Sequence, residues 1–243
     1  MGTQVKGKCK YCGKEYTKGY MIRHLTTCKA RIKSLEAETG DKQCGYFELV
    51  IYSKYDNDYW MIIEVKETAT LKDVDAFLRD IWLECCGHLS AFEISGVSYE
   101  AVPVKDYFGG RAAKSMNSKL KTVIKKDMLI NYEYDFGSST DLMIHVKNYR
   151  IGCERKEKII ILSRNNSEEF ICGACGKNVA VYIDPLRIFD GNPFLCEECS
   201  ELPEYDSEYL LRVCNSPRMG VCGYDGSEIY PDQFLPDVEK EKA

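Results

Sequence analysis

The sequence predicts an α+β protein: a mixed or antiparallel sheet with one amphipathic helix, of the β-grasp kind, flanked by an N-terminal zinc finger and a C-terminal zinc ribbon. Three observations carry this reading. Alternating apolar runs at residues 46–65 and 127–149 have the period of strands. A run between them, from Thr70 to Cys85, has the period of a helix. Cysteines stand at metal-knuckle spacing toward both ends of the chain.

The stretch KCKYCGKEYTKGYMIRHLTTCK, residues 8–29, places Cys9, Cys12, His24 and Cys28 in the pattern Cys-x2-Cys-x11-His-x3-Cys. Two residues between paired cysteines let both sulfurs converge on one ion, and a His and a Cys four apart on a helix complete the set. Tyr16 and Ile22 stand where such a finger needs its small core. The helix continues through MIRHLTTCKARIKSLEAE until Gly40 ends the pattern. Residues 1–40 therefore form a Cys-Cys-His-Cys zinc finger with a basic helix.

The central domain is expected over residues 44–165. YFELVIYS, the turn KYDND and YWMIIEV form a β-hairpin, with Tyr59, Met61, Ile63 and Val65 on one face. Thr70 and Asp73 make a capping box for a helix whose Leu71, Val74, Phe77, Leu78, Ile81, Trp82 and Cys85 share a side, with Gly87 as its C-terminal cap. LSAFEI and VSYEAV read as short strands about Gly96. In DMLINYEYDF, Met128, Ile130, Tyr132, Tyr134 and Phe136 alternate onto one face before Gly137-Ser138-Ser139 turns the chain into DLMIHVKNY. EKIIILSR adds one more strand.

Residues 168–202 form the ribbon module. Cys172 and Cys175 are separated by 20 residues from Cys196 and Cys199, and Gly173, Gly176 and Lys177 suit a tight knuckle. Four cysteine ligands close a tetrahedral site and leave no open position for catalysis, so both zinc ions, two in all, are expected to be structural. The insert has room for a hairpin or a short helical excursion. Residues 203–243 form an acidic C-terminal extension; from residue 201 on there are ten Asp/Glu against four Lys/Arg.

Of the 13 cysteines, Cys44, Cys85, Cys86, Cys153, Cys214 and Cys222 remain. Cys85 and Cys86 end the apolar helix and read as buried thiols. For the loop holding Cys214 and Cys222, a packing role and a role in covering or completing a metal site are both open.

The net charge of −5 is uneven. Residues 1–33 hold nine Lys/Arg against Glu15 alone, which is +8 and leaves −13 for the rest. Lys6, Lys8, Lys10, Lys14, Lys18, Arg23, Lys29, Arg31 and Lys33 are therefore the candidate nucleic-acid contacts. Residues 105–126, with seven Lys/Arg against Asp106, offer a second cationic patch. Two binding functions stay open: a nucleic-acid-associated accessory protein, and a zinc-stabilised adaptor that takes an acidic protein surface.

Catalysis is not expected. His88, Asp135 and His145 are the tempting constellation, since a histidine beside a carboxylate shuttles protons. Hydrogen-bonding structural roles suit both histidines better, since His88 follows a helix-capping Gly and His145 lies on an apolar strand, and the sequence has no phosphate-binding glycine loop or nucleophile elbow; an unrecognised enzyme is the third reading. The apolar runs are far short of the roughly 20 residues needed to cross a bilayer, and MGTQVKGKCK carries no apolar signal segment. A cytoplasmic protein is expected.

Two motifs carry a family resemblance. His88, Leu89, Phe92, Gly96 and Tyr99 follow the amphipathic helix, and Tyr134, Asp135, Phe136 and Gly137 end a late strand. In both, residues 44–165 resemble the plasmid Ri open-reading-frame-three-like domain family, also met as passenger proteins of plasmids and insertion elements. The resemblance implies the sheet-and-helix domain, flanking zinc modules and an association with mobile elements. After Tyr-Asp-Phe-Gly, where family members often carry Asp, an aromatic and a His, this chain has Ser138, Ser139, Thr140 and Leu142.

Overall fold

The computed structural model describes residues 4–103 and 112–240, in two compact units. The first takes in the chain up to Phe77, residues 89–166 and the segment from Phe234 on; the second is built from Leu78–His88 and Ser167–Gln233. The contacts thus divide the chain differently from the succession of modules read along the sequence. The finger and the last C-terminal residues share a unit with the central sheet, and the rest of the acidic extension goes with the ribbon.

In the first unit, β1 (Lys6–Cys9), β2 (Glu15–Thr17), α1 (Lys18–Thr27) and α2 (Lys29–Glu36) make the finger. The hairpin β3 (Gln43–Ser53) and β4 (Trp60–Lys66) follows, then α3, which begins at Leu71 and runs to Leu78. Next come β5 (Ser90–Ile94), β6 (Val97–Glu100), β7 (Lys114–Ser115), the short α4 (Leu120–Val123), β8 (Leu129–Tyr134), β9 (Thr140–Cys153) and β10 (Ile159–Asn165). The ten strands form one sheet in the order β2-β1-β10-β4-β3-β9-β8-β5-β6-β7, antiparallel except between β6 and β7. The mixed α+β class expected from the sequence is observed.

The sheet is wide because the finger extends it: Gly7, Lys8 and Cys9 of β1 pair with Asn165, Arg164 and Ser163 of β10. A Cβ on Gly7 would lie 2.2 Å from the Arg164 carbonyl oxygen, so only glycine allows this approach. The alternation expected of β4 is lost, because every residue from Trp60 to Lys66 is buried. In β8, Ile130, Tyr132 and Tyr134 point inward as expected, while Phe136 lies beyond the strand and is exposed. Ser95 (φ 52°) and Gly96 (φ 74°) form the two-residue turn between β5 and β6, as hairpins with both central residues at positive φ require.

The capping box forms as read. The Asp73 carboxylate accepts from the Thr70 amide (2.8 Å) and hydroxyl (2.9 Å), and the Asp73 amide donates to the Thr70 hydroxyl (3.1 Å). Burial alone would raise the Asp73 carboxyl, but Lys158 at 2.7 Å and the Thr70 donors hold it below the ordinary value. A depressed native pKa stabilises the fold above the ordinary Asp range, and the contribution is lost as pH falls through the native value. Asp73→Ala is expected to lower stability at neutral pH by about 1 kcal/mol in urea unfolding, with the difference shrinking in acid.

The helix does not reach Cys85. From Arg79 to Leu83 the chain widens into a π-helical turn, and Glu84 is already extended. Cys85 and Cys86 are thereby carried out of the apolar face, which corrects their reading as buried thiols: Cys85 is half-buried and Cys86 exposed. In the second unit, β11 (Tyr182–Ile183), β12 (Phe194–Leu195) and β13 (Leu211–Arg212) form a three-stranded sheet in the order β12-β11-β13, and α5 (Glu197–Ser200) follows β12. The last helix, α6 (Asp237–Lys240), returns to the first unit. Of the expected second cationic patch, residues 105–111 lie outside the described residues; Lys114, Lys119, Lys121, Lys125 and Lys126 are exposed. Among the described residues, no helix is long and apolar enough to cross a membrane.

Candidate metal centres and the finger surface

The finger site is assembled by a tight turn and a helix. The Gly13 amide donates to the Cys9 carbonyl and the Cys9 amide to the Lys14 carbonyl, both at 2.9 Å, with Gly13 at φ 70°. This knuckle presents Cys9 and Cys12 to His24 on α1 and to Cys28. The four donor atoms lie within 4.8 Å of one another, with Cys9 and Cys28 sulfurs 4.0 Å apart and Cys12 Sγ 3.3 Å from His24 Nε2. Metal–ligand bonds of about 2.3 Å for sulfur and 2.0 Å for nitrogen require tetrahedral edges of roughly 3.8 and 3.5 Å. The group could hold a metal ion.

Cys28 is not on the same helix as His24, as the spacing implied; it occupies the extended break between α1 and α2. Around the site, Met21, Leu25, Val50, Trp60, Ile62 and Leu162 form one apolar cluster with the two buried cysteines, and Tyr16 and Ile22 pack at its margin. Burial pushes the Cys9 thiol up to about 12, and burial with the Lys14 charge lowers the His24 imidazole. A neutral imidazole is the ligating form, while the buried thiolate needs a cation beside it.

The ribbon site follows the same logic. The Gly176 amide donates to the Cys172 carbonyl (2.9 Å) with Gly176 at φ 65°, and the Ser200 amide donates to the Cys196 carbonyl (3.0 Å) at the start of α5. Cys172, Cys175, Cys196 and Cys199 converge within 4.8 Å, and the Cys175 and Cys196 sulfurs are 4.0 Å apart. Burial would raise the Cys172 thiol, but backbone amides of Cys175, Cys196 and Ala174 bring it down to about 6. Neighbouring Cys196 pushes Cys199 up to about 12. Four sulfurs this close cannot all ionise without a cation among them. The insert, read as room for a hairpin or a short helical excursion, contains the β11–β12 pair and also a 3₁₀ turn at Pro185–Arg187.

A third group was not assembled from the sequence. Cys85, Cys86, His88 and Cys222 also bring their donor atoms within 4.8 Å. Adjacent cysteines and a partner 136 positions away from Cys86 make no recognisable spacing. Asp135 and His145, the other members of the tempting acid–histidine set, are not part of this group. The Asp135 carboxylate accepts from the Gly137 amide (3.1 Å) at a residue with φ 65°, and His145 lies on β9 with its imidazole lowered by burial.

The finger's cations are not one surface. Arg31 is a correction: it is buried, paired with Glu48 at 2.9 Å and with Glu64 at 3.2 Å, and so does not face a phosphate. Lys8 and Lys10 are held by the C-terminal segment, at 3.0 Å from Glu239 and 2.7 Å from Asp237. Lys18 sits over the Tyr52 ring at 4.2 Å. Lys6, Lys14, Arg23, Lys29 and Lys33 are exposed, and the Arg23 guanidinium lies 4.4 Å from the ring of exposed Tyr20.

The family described as plasmid pRiA4b ORF-3-like protein has a model that matches residues 50–167, which bears out the resemblance read from the two motifs. No curated protein matches the chain. Among solved structures, a protein of unknown function from Methanosarcina mazei Go1 is similar, with 19% identity, a TM-score of 0.43, and coverage of 50% of this chain and 70% of that one.

Proposed function

Taking the plasmid pRiA4b ORF-3-like match of the central domain as premise, we propose that this is a non-catalytic, zinc-stapled accessory protein of mobile elements that holds nucleic acid through its finger. Zinc suits the thiolate-rich, four-donor groups, and two such closed sites supply rigidity rather than a reactive position. The observation that supports binding is the set of exposed cations Lys6, Lys14, Arg23, Lys29 and Lys33, with Tyr20 beside Arg23 as an aromatic surface for a base. Met21 and Leu25 of α1 are sunk in the cluster with Trp60, so one side of the helix is already occupied. The contacts expected are to the phosphate backbone rather than to base edges.

One observation favours a second reading. Glu239 and Asp237 on Lys8 and Lys10 mean that part of the finger already takes an acidic chain segment, as an adaptor for an acidic protein surface would. A salt-dependent gel shift separates the two. Wild type should shift DNA or RNA at low salt, and the triple change Lys14→Glu, Arg23→Glu, Lys29→Glu should flatten the log K against log salt slope by about 2–3. No shift at low salt, or a shift that survives the triple change, removes the nucleic-acid reading and leaves the adaptor.

A further inference from the structure

We infer that Cys85, Cys86, His88 and Cys222 bind a third metal ion, an exchangeable zinc at the protein surface. All four residues belong to the second unit, and the proposal does not rest on the finger's binding role. The four donor atoms lie within 4.8 Å of one another, as ligands of one ion would. Cys86 Sγ lies 3.7 Å from Cys85 Sγ and 3.7 Å from Cys222 Sγ, against the roughly 3.8 Å edge that zinc thiolates require. His88 Nε2 lies 2.9 Å from Cys86 Sγ and 3.3 Å from Cys222 Sγ, where a mixed edge is about 3.5 Å. A disulfide would join two of these sulfurs, but it gives no reason for an imidazole nitrogen to face both Cys86 and Cys222.

The surroundings hold the ligands in place. The π-helical turn ends at Leu83, Glu84 is extended and Gly87 has φ 78°, a path that turns Cys85, Cys86 and His88 inward on one point. Opposite them, Gly220 (φ 76°) and Cys222 (φ 55°) shape the loop. That loop is fixed without the ion, since Ser216 Oγ donates to the Trp82 carbonyl at 2.6 Å and Ser227 Oγ to the Asp80 carbonyl at 2.5 Å. Three thiolates and one zinc leave a net charge of −1. The fully buried guanidinium of Arg218, with Nη2 3.6 Å from Cys85 Sγ, supplies the compensating cation from the outer shell.

Exposure sets this site apart. Cys86 and Cys222 are open to solvent, whereas Cys9, Cys28, Cys172 and Cys196 are at most 3% exposed. Water and chelators reach the third ion directly, so it exchanges first, and its presence ties residues 85–88 to the loop at 222.

Elemental analysis of the full chain tests this. Wild type should hold about three zinc ions, and Cys222→Ser one fewer with an unchanged far-UV spectrum. Brief exposure of wild type to a chelator should remove one ion and accelerate alkylation of Cys86 and Cys222 at least tenfold. The proposal is overturned if Cys222→Ser keeps the wild-type zinc content, or if the two thiols alkylate at the same rate with and without chelator. A negative gel shift would leave both readouts as they are.

Discussion

Glu64→Gln is expected to destabilise the first unit by about 3–5 kcal/mol, because it removes the shared anion of a buried charge network. Glu64 is 1% exposed on β4 and accepts from three arginines: Arg31 at 3.2 Å, Arg150 at 2.8 Å through both Nε and Nη2, and Arg155 at 2.5 Å. Glu48 and Glu38 complete a set in which three carboxylates balance three guanidinium groups. A glutamine keeps the volume but turns an amide NH₂ toward guanidinium donors and leaves one buried positive charge uncompensated. Burial would raise the Glu64 carboxyl, yet the hydrogen bonds and charges of Arg150 and Arg155 outweigh it and hold the pKa below the ordinary value. Its contribution is therefore full above the usual glutamate range and is lost as pH falls through the native pKa. The penalty measured by urea unfolding should shrink in acid. Glu38→Gln, at the partly exposed rim with 26% of its side chain accessible, should cost less than about 1 kcal/mol. Equal effects of the two substitutions would mean that solvent screens the whole network.

That network also marks where reading the sequence stops. The strand runs, the capping box and both knuckle sites are local patterns, and a period or a spacing is enough to find them. Arg31 is different: in the sequence it is one of nine cations on a basic arm, and only the placement of α2 over Glu48 and Glu64 takes it out of solvent. The joining of the finger to the sheet is equally non-local, since Ser163 Oγ meets the Lys8 carbonyl across 155 positions. Cys85 fits a helical stripe, with Cys86 ending the helix beside it, because a π-helical turn changes the period without any Gly or Pro to announce it. Once the chain leaves the helix at Glu84, the same two residues become donors toward His88 and Cys222.

Removing the metal proposed for the ribbon's four cysteines should unfold that module. Its sheet has three strands of two residues each, and its buried cluster consists of Cys172, Leu195 and Cys196, with Cys175, Tyr182, Cys199, Tyr205 and Leu210 partly covered. Leu195 and Ile183 are buried, and at about 1.5–3 kcal/mol each they cannot offset the entropy of ordering roughly forty residues. A structural zinc contributes on the order of 10 kcal/mol or more and so decides whether the module folds. Cys172→Ser is the sharpest probe, since it deletes the thiol that backbone amides hold near pKa 6. Hydrogen exchange should then show the amides of Val181 and Val213, which donate to Leu195 and Val181, losing at least a hundredfold in protection. The β3–β4 amides should keep theirs, because those strands share seven paired positions inside an extensive apolar core. The finger gives the contrast: Cys9→Ser removes a ligand from a site backed by Met21, Leu25, Trp60, Ile62 and Leu162, so α1 should lose less protection than the ribbon. If Val181 and Val213 stay protected in Cys172→Ser, the ribbon folds on its apolar contacts and its four cysteines are not a structural metal site.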